Sequence, residues 1–224
     1  MITLTRLLDE RSCVLFDFDG PICAVFSGIP DRDVAVALGP YVGSPLPPDV
    51  SNSRDPFDVL RYASTLGPEA GAAVEHRLTE LELEAVKYAK PTGPTEPLIR
   101  ELTNSGRTVA VVSNNSVPAV DAYLSAHGLR DYVTGIFSRT PANFTQLKPD
   151  PHLLNWALSE LDVSPASATF IGDSVSDIDA AHAARVAAIA YANRPQKIER
   201  FRALKPAALI TDMAELIGAL SADR

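Results

Sequence analysis

The sequence predicts an α/β fold: a doubly wound parallel sheet with a small all-helical segment inserted after the first strand. Three observations predict it. Short apolar runs at 14–16, 108–112, 168–171, 186–190 and 207–210 are each bounded by turn residues, the signature of strands buried on both faces. From residue 91 onward amphipathic helical patterns alternate with those runs, which argues parallel strands joined by right-handed crossovers. Between residues 22 and 91 the alternation stops and only helix and loop patterns remain.

The first strand is the run Val14-Leu15-Phe16, which ends in Asp17-Phe18-Asp19-Gly20-Pro21. Gly20 and Pro21 force a turn, so two carboxylates meet at the carboxyl end of a strand. In an open α/β sheet that edge is where ligands bind. Neighbouring ionised acids repel, and a cation or a shared proton relieves them. After the turn, residues 31–38 read as a short helix with Asp31 as its N-cap. Five prolines between residues 40 and 56 mark an irregular loop. Asp55 or Ser53 then caps a helix with Phe57, Leu60 and Ala63 on one stripe. Gly67-Pro68 closes it and opens a longer one, with Val74, Leu78, Leu81 and Ala85 on one stripe. Glu69, Glu75, Glu80, Glu82 and Glu84 read as the wet face of that helix.

The second half reads as a helix over 94–105 and a strand over 108–112 ending at Ser113-Asn114. A helix with Val117, Val120, Tyr123 and Leu124 inward follows, then a strand over 132–137 and a helix over 151–161. The strand at 168–171 ends at Gly172-Asp173 and runs into an Ala-rich helix. Strands at 186–190 and 207–210 and a helix over 212–220 complete the chain.

Composition narrows the function. The chain has 224 residues, 46% of them hydrophobic, enough for one large domain or a core with an insert. The net charge is −8 and no basic run appears, which argues against nucleic acid or an anionic membrane as partner. Cys13 and Cys23 form neither a disulfide framework nor a CxxC site and are expected as buried free thiols. The first ten residues lack the apolar run of a leader, and no stretch is long enough to span a membrane. A reducing, cytoplasmic setting is the expectation from these thiols.

Parallel strands bring their carboxyl ends to one edge, so Asp17, Asp19, Ser113, Asn114, Asp173 and Asp177 converge there, together with Lys148 from Leu147-Lys148-Pro149-Asp150. Acids able to hold Mg²⁺, with a hydroxyl and a lysine for phosphoryl oxygens, form a kit for phosphoryl transfer. Taken singly, each also has a structural reading: Lys148 as a solvated loop lysine, Ser113 as a helix cap and Asp177 as a first-turn acid favoured by the helix dipole. His152, His182 and Trp156 are read as structural.

The chain resembles the haloacid dehalogenase superfamily of phosphatases, within it the phosphoglycolate phosphatase and β-phosphoglucomutase group, on four motifs in order. They are Asp17-Phe18-Asp19-Gly20, Val111-Val112-Ser113-Asn114, Lys148-Pro149-Asp150-Pro151 and Gly172-Asp173-Ser174-Val175-Ser176-Asp177-Ile178-Asp179-Ala180-Ala181. The resemblance implies a Rossmannoid core of residues 1–21 and 92–224 and a helical cap of residues 22–91. It implies an Mg²⁺-dependent phosphomonoester hydrolase, a monomer or homodimer acting on a small phosphorylated metabolite. Asp17 is then nucleophile and metal ligand, Asp19 the general acid and base and a ligand through its carbonyl, and Asp173 a further ligand. Ser113, Asn114 and Lys148 bind phosphoryl oxygens, and Asp177 orients Lys148 or the metal's water. Pro21 stands where threonine is common in similar sequences, and Arg185 where glycine is usual.

The alternatives are a phosphomutase, for which Arg32, Arg54, Arg61 and Arg77 are the available cap cations, and a phosphonate hydrolase, with only Lys87 and Lys90 to offer. A dehalogenase would not need Asp19. A phospho-accepting signalling domain would not carry its acceptor on the first strand or hold such an insert. A scaffold without activity would lack part of the kit. The loop at 40–56 is the expected place of substrate discrimination.

Overall fold

Cys13–Phe16 has no charged side chain and lies with both faces covered, all four residues buried. A short helix, α1 (Leu4–Asp9), capped by Thr3, precedes this strand, β1. The computed structural model describes residues 3–221. After the Gly20-Pro21 turn the chain leaves the sheet through β2 (Cys23–Ala24), runs through α2 (Asp31–Leu38), α3 (Pro48–Ser51), α4 (Pro56–Leu66) and α5 (Pro68–Ala85), and returns through β3 (Lys90–Pro91). β2 and β3 pair antiparallel, so departure and return lie side by side. The rest alternates: α6 (Thr95–Asn104), β4 (Thr108–Ser116), α7 (Val117–Ala126), β5 (Gly135–Arg139), α8 (His152–Glu160), β6 (Ala168–Gly172), α9 (Val175–Ala183), β7 (Ala187–Tyr191), α10 (Lys197–Ala203), β8 (Ala208–Ile210) and α11 (Ala214–Ser221).

The six-stranded sheet has the order β5-β4-β1-β6-β7-β8, parallel throughout. The chain order reverses direction beside β1, and such a switch opens a crevice at the strands' carboxyl ends. Side-chain alternation divides the core into two. Val14, Phe16, Val111 and Ile171 face α1, α6, α7 and α11. Cys13, Leu15, Val112 and Phe170 face α8, α9 and α10, and their cluster continues into Val59, Leu60, Val74 and Leu78 of the helical segment. Each fully buried Leu or Phe contributes about 1.5–3 kcal/mol. Among the described residues no helix is long and apolar enough to cross a membrane.

Several local expectations change. Asp31 is the first residue of α2, not its cap; Pro30 precedes the helix without a side-chain cap. The loop at 40–56 contains one turn of helix, α3, entered by Pro48, whose fixed φ suits a first helical position. β5 begins at Gly135, and Tyr132 ends a 3₁₀ turn instead. The helices α1 and α10 and the β2–β3 pair are additions to the expected elements; each is too short for a periodic signal. The glutamate face of α5 is the largest correction. Glu69, Glu80 and Glu84 are exposed, but Glu75 and Glu82 are 4% and 0% exposed. Both are paired with Arg139, at 2.5 and 2.6 Å.

Candidate active site

Five segments bring their polar ends to one cavity of about 290 Å³, which contains Asp17, Asp19, Ser113, Asn114, Lys148, Asp173 and Asp177 in its lining. All seven residues singled out in the sequence therefore meet at the carboxyl edge of the sheet. β1 ends at Phe16, and the Asp17 N–H still donates to Ile171 O at 2.8 Å, which holds Asp17 against β6. Asp17 Oδ1 accepts from Phe18 N at 2.8 Å and faces Lys148 Nζ at 2.7 Å.

Lys148 is the charge centre. Its side chain is 2% exposed, its Nζ donates to Val112 O at 3.1 Å, and it lies 2.6 Å from Asp177 Oδ1. Burial pulls its pKa down, but Asp17 and Asp177 outweigh that and hold it above the ordinary lysine value. Its main chain is clasped by Asn114: Nδ2 donates to Lys148 O at 3.1 Å, and Oδ1 accepts from Lys148 N at 2.8 Å. The Asn114 side chain is thus engaged with Lys148 rather than turned to a phosphate. Ser113 Oγ is buried beside β1 and exchanges contacts of 3.2 Å with Asn115.

Asp177 closes the far side. Its Oδ2 accepts from Asp173 N, Ser174 N and Ser174 Oγ, and Ser174 Oγ accepts from Asp177 N, a capping box at the start of α9. Asp173 Oδ2 is met by two residues the sequence reading missed, Lys197 Nζ at 2.5 Å and Asn193 Nδ2 at 2.8 Å. No local signal marks them, since they reach the site from the segment after β7. Burial raises the Asp173 carboxyl, and Lys197 opposes it. Burial likewise raises Asp17, with Asp177 adding to the effect and Lys148 pulling against it. Burial pushes the Asp19 carboxyl up to about 7, tempered by the Val25 N–H that donates to its Oδ1 at 2.9 Å. A carboxyl near neutrality is suited to both giving and taking a proton.

Asp17, Asp173 and Asp177 each offer one oxygen within 4.8 Å of the others. An all-oxygen, carboxylate-rich set of this span fits a hard divalent cation. Gly20 keeps it open: with φ at +99°, it lies where an added Cβ would be 2.3 Å from Asp173 Cγ. Pro21 lacks an N–H, and the turn is secured instead by Thr92 Oγ1 donating to Gly20 O at 2.6 Å and Thr95 Oγ1 to Pro21 O at 2.8 Å.

A family model described as haloacid dehalogenase-like hydrolase matches residues 58–191, more than half of the chain. The chain belongs to that family. It is 27% identical over 228 residues to a phosphoglycolate phosphatase of Vibrio vulnificus, covering 93% of this chain and 95% of that one. It is 26% identical to an N-acetylmuramic acid 6-phosphate phosphatase of Pseudomonas aeruginosa over 80% of this chain and 81% of the other. CbbY of Rhodobacter sphaeroides, solved in complex with phosphate, shares the fold with a TM-score of 0.72 at 21% identity, covering 94% of this chain and 99% of that one. This haloacid dehalogenase-like chain is accordingly an enzyme, a phosphatase.

The helical segment adds Asp55, Phe57 and Arg61 to the cavity wall. Asp55, at the end of the proline-rich stretch, caps α4 by accepting from Phe57 N at 2.8 Å. Arg61 is held by Asp55 at 3.2 Å and by Asp58 at 2.6 Å. His152, His182 and Trp156 are not in the cavity lining. Trp156 stacks edge-on against Phe137 with ring centres 5.2 Å apart.

Proposed function

We propose that the chain hydrolyses a small-molecule phosphomonoester through a phosphorylated Asp17, with Mg²⁺ as cofactor. The observation that supports this most is Lys148, buried between Asp17 and Asp177 within one cavity that also holds Asp19, Ser113 and Asp173. Phosphoryl transfer needs positioning and charge neutralisation more than new covalent machinery. Asp17 Oδ1 is engaged by Lys148 and by the Phe18 N–H, which orients Oδ2 for attack. That oxygen bonds to phosphorus as the ester P–O bond breaks, and the leaving oxygen takes the Asp19 proton. Asp19, now a carboxylate, removes a proton from water. The water oxygen bonds to phosphorus, the Asp17–phosphate bond breaks, and inorganic phosphate departs.

Asp17 and Asp173, with the Asp19 carbonyl, would hold Mg²⁺, and Asp177 would orient Lys148. The ion supplies charge neutralisation for phosphoryl oxygens. Ser113 Oγ, whose proton goes to Asn115 Oδ1 at 3.2 Å in this structure, would turn that proton to those oxygens. Residues 22–91 form the cap in this reading, excluding bulk water as lids do, and Asp55, Phe57 and Arg61 face the rest of the substrate. Organic-acid and sugar phosphates fit the class, as the two names borne by the relatives suggest. The phosphomutase alternative has little support, because Arg61 alone of the four cap arginines lines the cavity and two carboxylates already hold it. A cytoplasmic setting agrees with two buried free thiols.

The test is hydrolysis of p-nitrophenyl phosphate and a panel of phosphorylated metabolites with Mg²⁺. Turnover that disappears with EDTA and in Asp17→Asn is expected. A fully active Asp17→Asn variant would overturn the mechanism, and absence of phosphate release from every ester would overturn the function.

A further inference from the structure

Arg139 ends β5 with 0% exposure, making it one of the largest fully buried side chains in the molecule. Its guanidinium reaches three ways. Nη1 pairs with Glu75 Oε1 at 2.5 Å, Nη2 with Glu82 Oε2 at 2.6 Å, and Nε donates to Asn114 O at 3.0 Å. Glu82 Oε1 accepts from Asn115 Nδ2 at 3.1 Å, and Glu82 Oε2 accepts from Ser116 N at 2.8 Å. α5 is also seated on the core at its start, where Gly71 lies so close that a Cβ would be 2.8 Å from Phe144.

Removing one member of a buried ionic group is strongly destabilising, yet replacing the whole group by apolar residues is often neutral. Stability alone therefore does not account for a buried arginine shared by two glutamates. What the group does hold is geometry. Ser113 contacts Asn115, and Asn115 is bound by Glu82. Asn114 clasps the main chain of Lys148, and the Asn114 carbonyl is bound by Arg139. Ser113 and Lys148 thus share one frame whose outer end is Arg139.

We infer that Arg139 is a positioning residue, which with Glu82 ties the last helix of the inserted segment to the Ser113–Asn115 strand end. It rests on the phosphatase reading above. In this arrangement α5 is a fixed pillar beside the site, and the placement of Ser113 and Lys148 depends on it. A displacement of about 1 Å from a residue remote from the chemistry can lower turnover on the order of a hundredfold.

The test is Arg139→Lys, which keeps the charge but cannot reach two carboxylates and a carbonyl together. kcat, KM and inhibition by inorganic phosphate are measured, alone and combined with Ser113→Ala. The expected result is a folded variant with kcat lower by about tenfold or more and weaker phosphate inhibition. The double variant should lose much less than the product of the single losses, the mark of residues acting through one another. A lower melting temperature with kcat and phosphate inhibition within about twofold of the parent, or losses that multiply, overturns the inference. Should Arg139→Lys fail to fold, Glu82→Gln weakens the same tie at its other end without changing a residue of the cavity lining, and the same cycle decides by the same outcomes. An inactive parent enzyme defeats the phosphatase reading instead, whereas an active parent with multiplying losses defeats only this inference.

Discussion

Lys148 Nζ lies 2.6 Å from Asp177 Oδ1, and both side chains are 2% exposed. The other oxygen of Asp177 caps α9 and receives the N–H of Asp173. One carboxylate therefore sets the lysine, the helix start and the neighbouring acid at once. All its partners donate, so an amide in its place offers one acceptor too few and turns an NH₂ toward donors. Asp177→Asn is expected to lower kcat far more than it alters KM. Lys148→Met leaves Asp17 and Asp177 buried without their cation, and is expected to lower stability by about 3–5 kcal/mol and turnover by at least about a hundredfold. Thermal unfolding and steady-state kinetics check both, and a fully active Lys148→Met enzyme would contradict the charge assignment.

Gly20 is the second sensitive point. Its φ of +99° disfavours any side chain, and an added Cβ would lie 2.3 Å from Asp173 Cγ. Gly20→Ala is thus expected to push Asp173 out of the carboxylate cluster. The readout is the rise in melting temperature on adding Mg²⁺, a linkage effect of binding to the folded state, which should be lost in the variant. An undiminished rise would show that the cluster tolerates the methyl group.

What the sequence made legible was local or edge-bound. Asp17 and Asp19 lead into a turn, Ser113 and Asp173 follow apolar runs, and parallel strands deliver such ends to one side. Contacts between distant segments were not legible. Lys197 comes to Asp173 from a helix too short to announce itself, and Arg139 meets Glu82 across 57 positions of chain. Glu75 and Glu82 still carried a signal. They fall at i−3 and i+4 from Leu78, on the buried stripe of α5, and weighing charge above helical phase assigned them to water.

Cys13 and Cys23 are both free and buried. Burial pushes the Cys13 thiol up to about 11 and that of Cys23 well above its ordinary value. Both thiols should stay protonated and unreactive to a thiol-specific disulfide reagent at neutral pH until the chain unfolds. For Cys13 the folded chain keeps a proton, between the ordinary thiol range and about 11, that the unfolded chain has released. Stability from this group is therefore complete below that window and falls as pH rises through it. Rapid labelling of both thiols in the native protein would show that the site of Cys13 opens without unfolding.

Arg185 follows α9 with φ at +59°. The turn is a Schellman motif: Val186 N donates to Ala181 O at 2.9 Å, and Arg185 N to His182 O at 3.0 Å. The left-handed conformation at that position costs a side-chain-bearing residue about 1–2 kcal/mol, and glycine avoids this at the expense of a more flexible unfolded chain. The exposed Arg185 side chain is not in the lining of the active-site cavity, so the backbone decides the outcome. Arg185→Gly is expected to gain about 1 kcal/mol, or about 2–4 °C in melting temperature for a domain of this size, with turnover unchanged. Arg185→Ala retains the Cβ and therefore the strain, and should melt with the parent. If the alanine variant gains as much as the glycine variant, the relief comes from losing the arginine side chain, and the helix end is not strained.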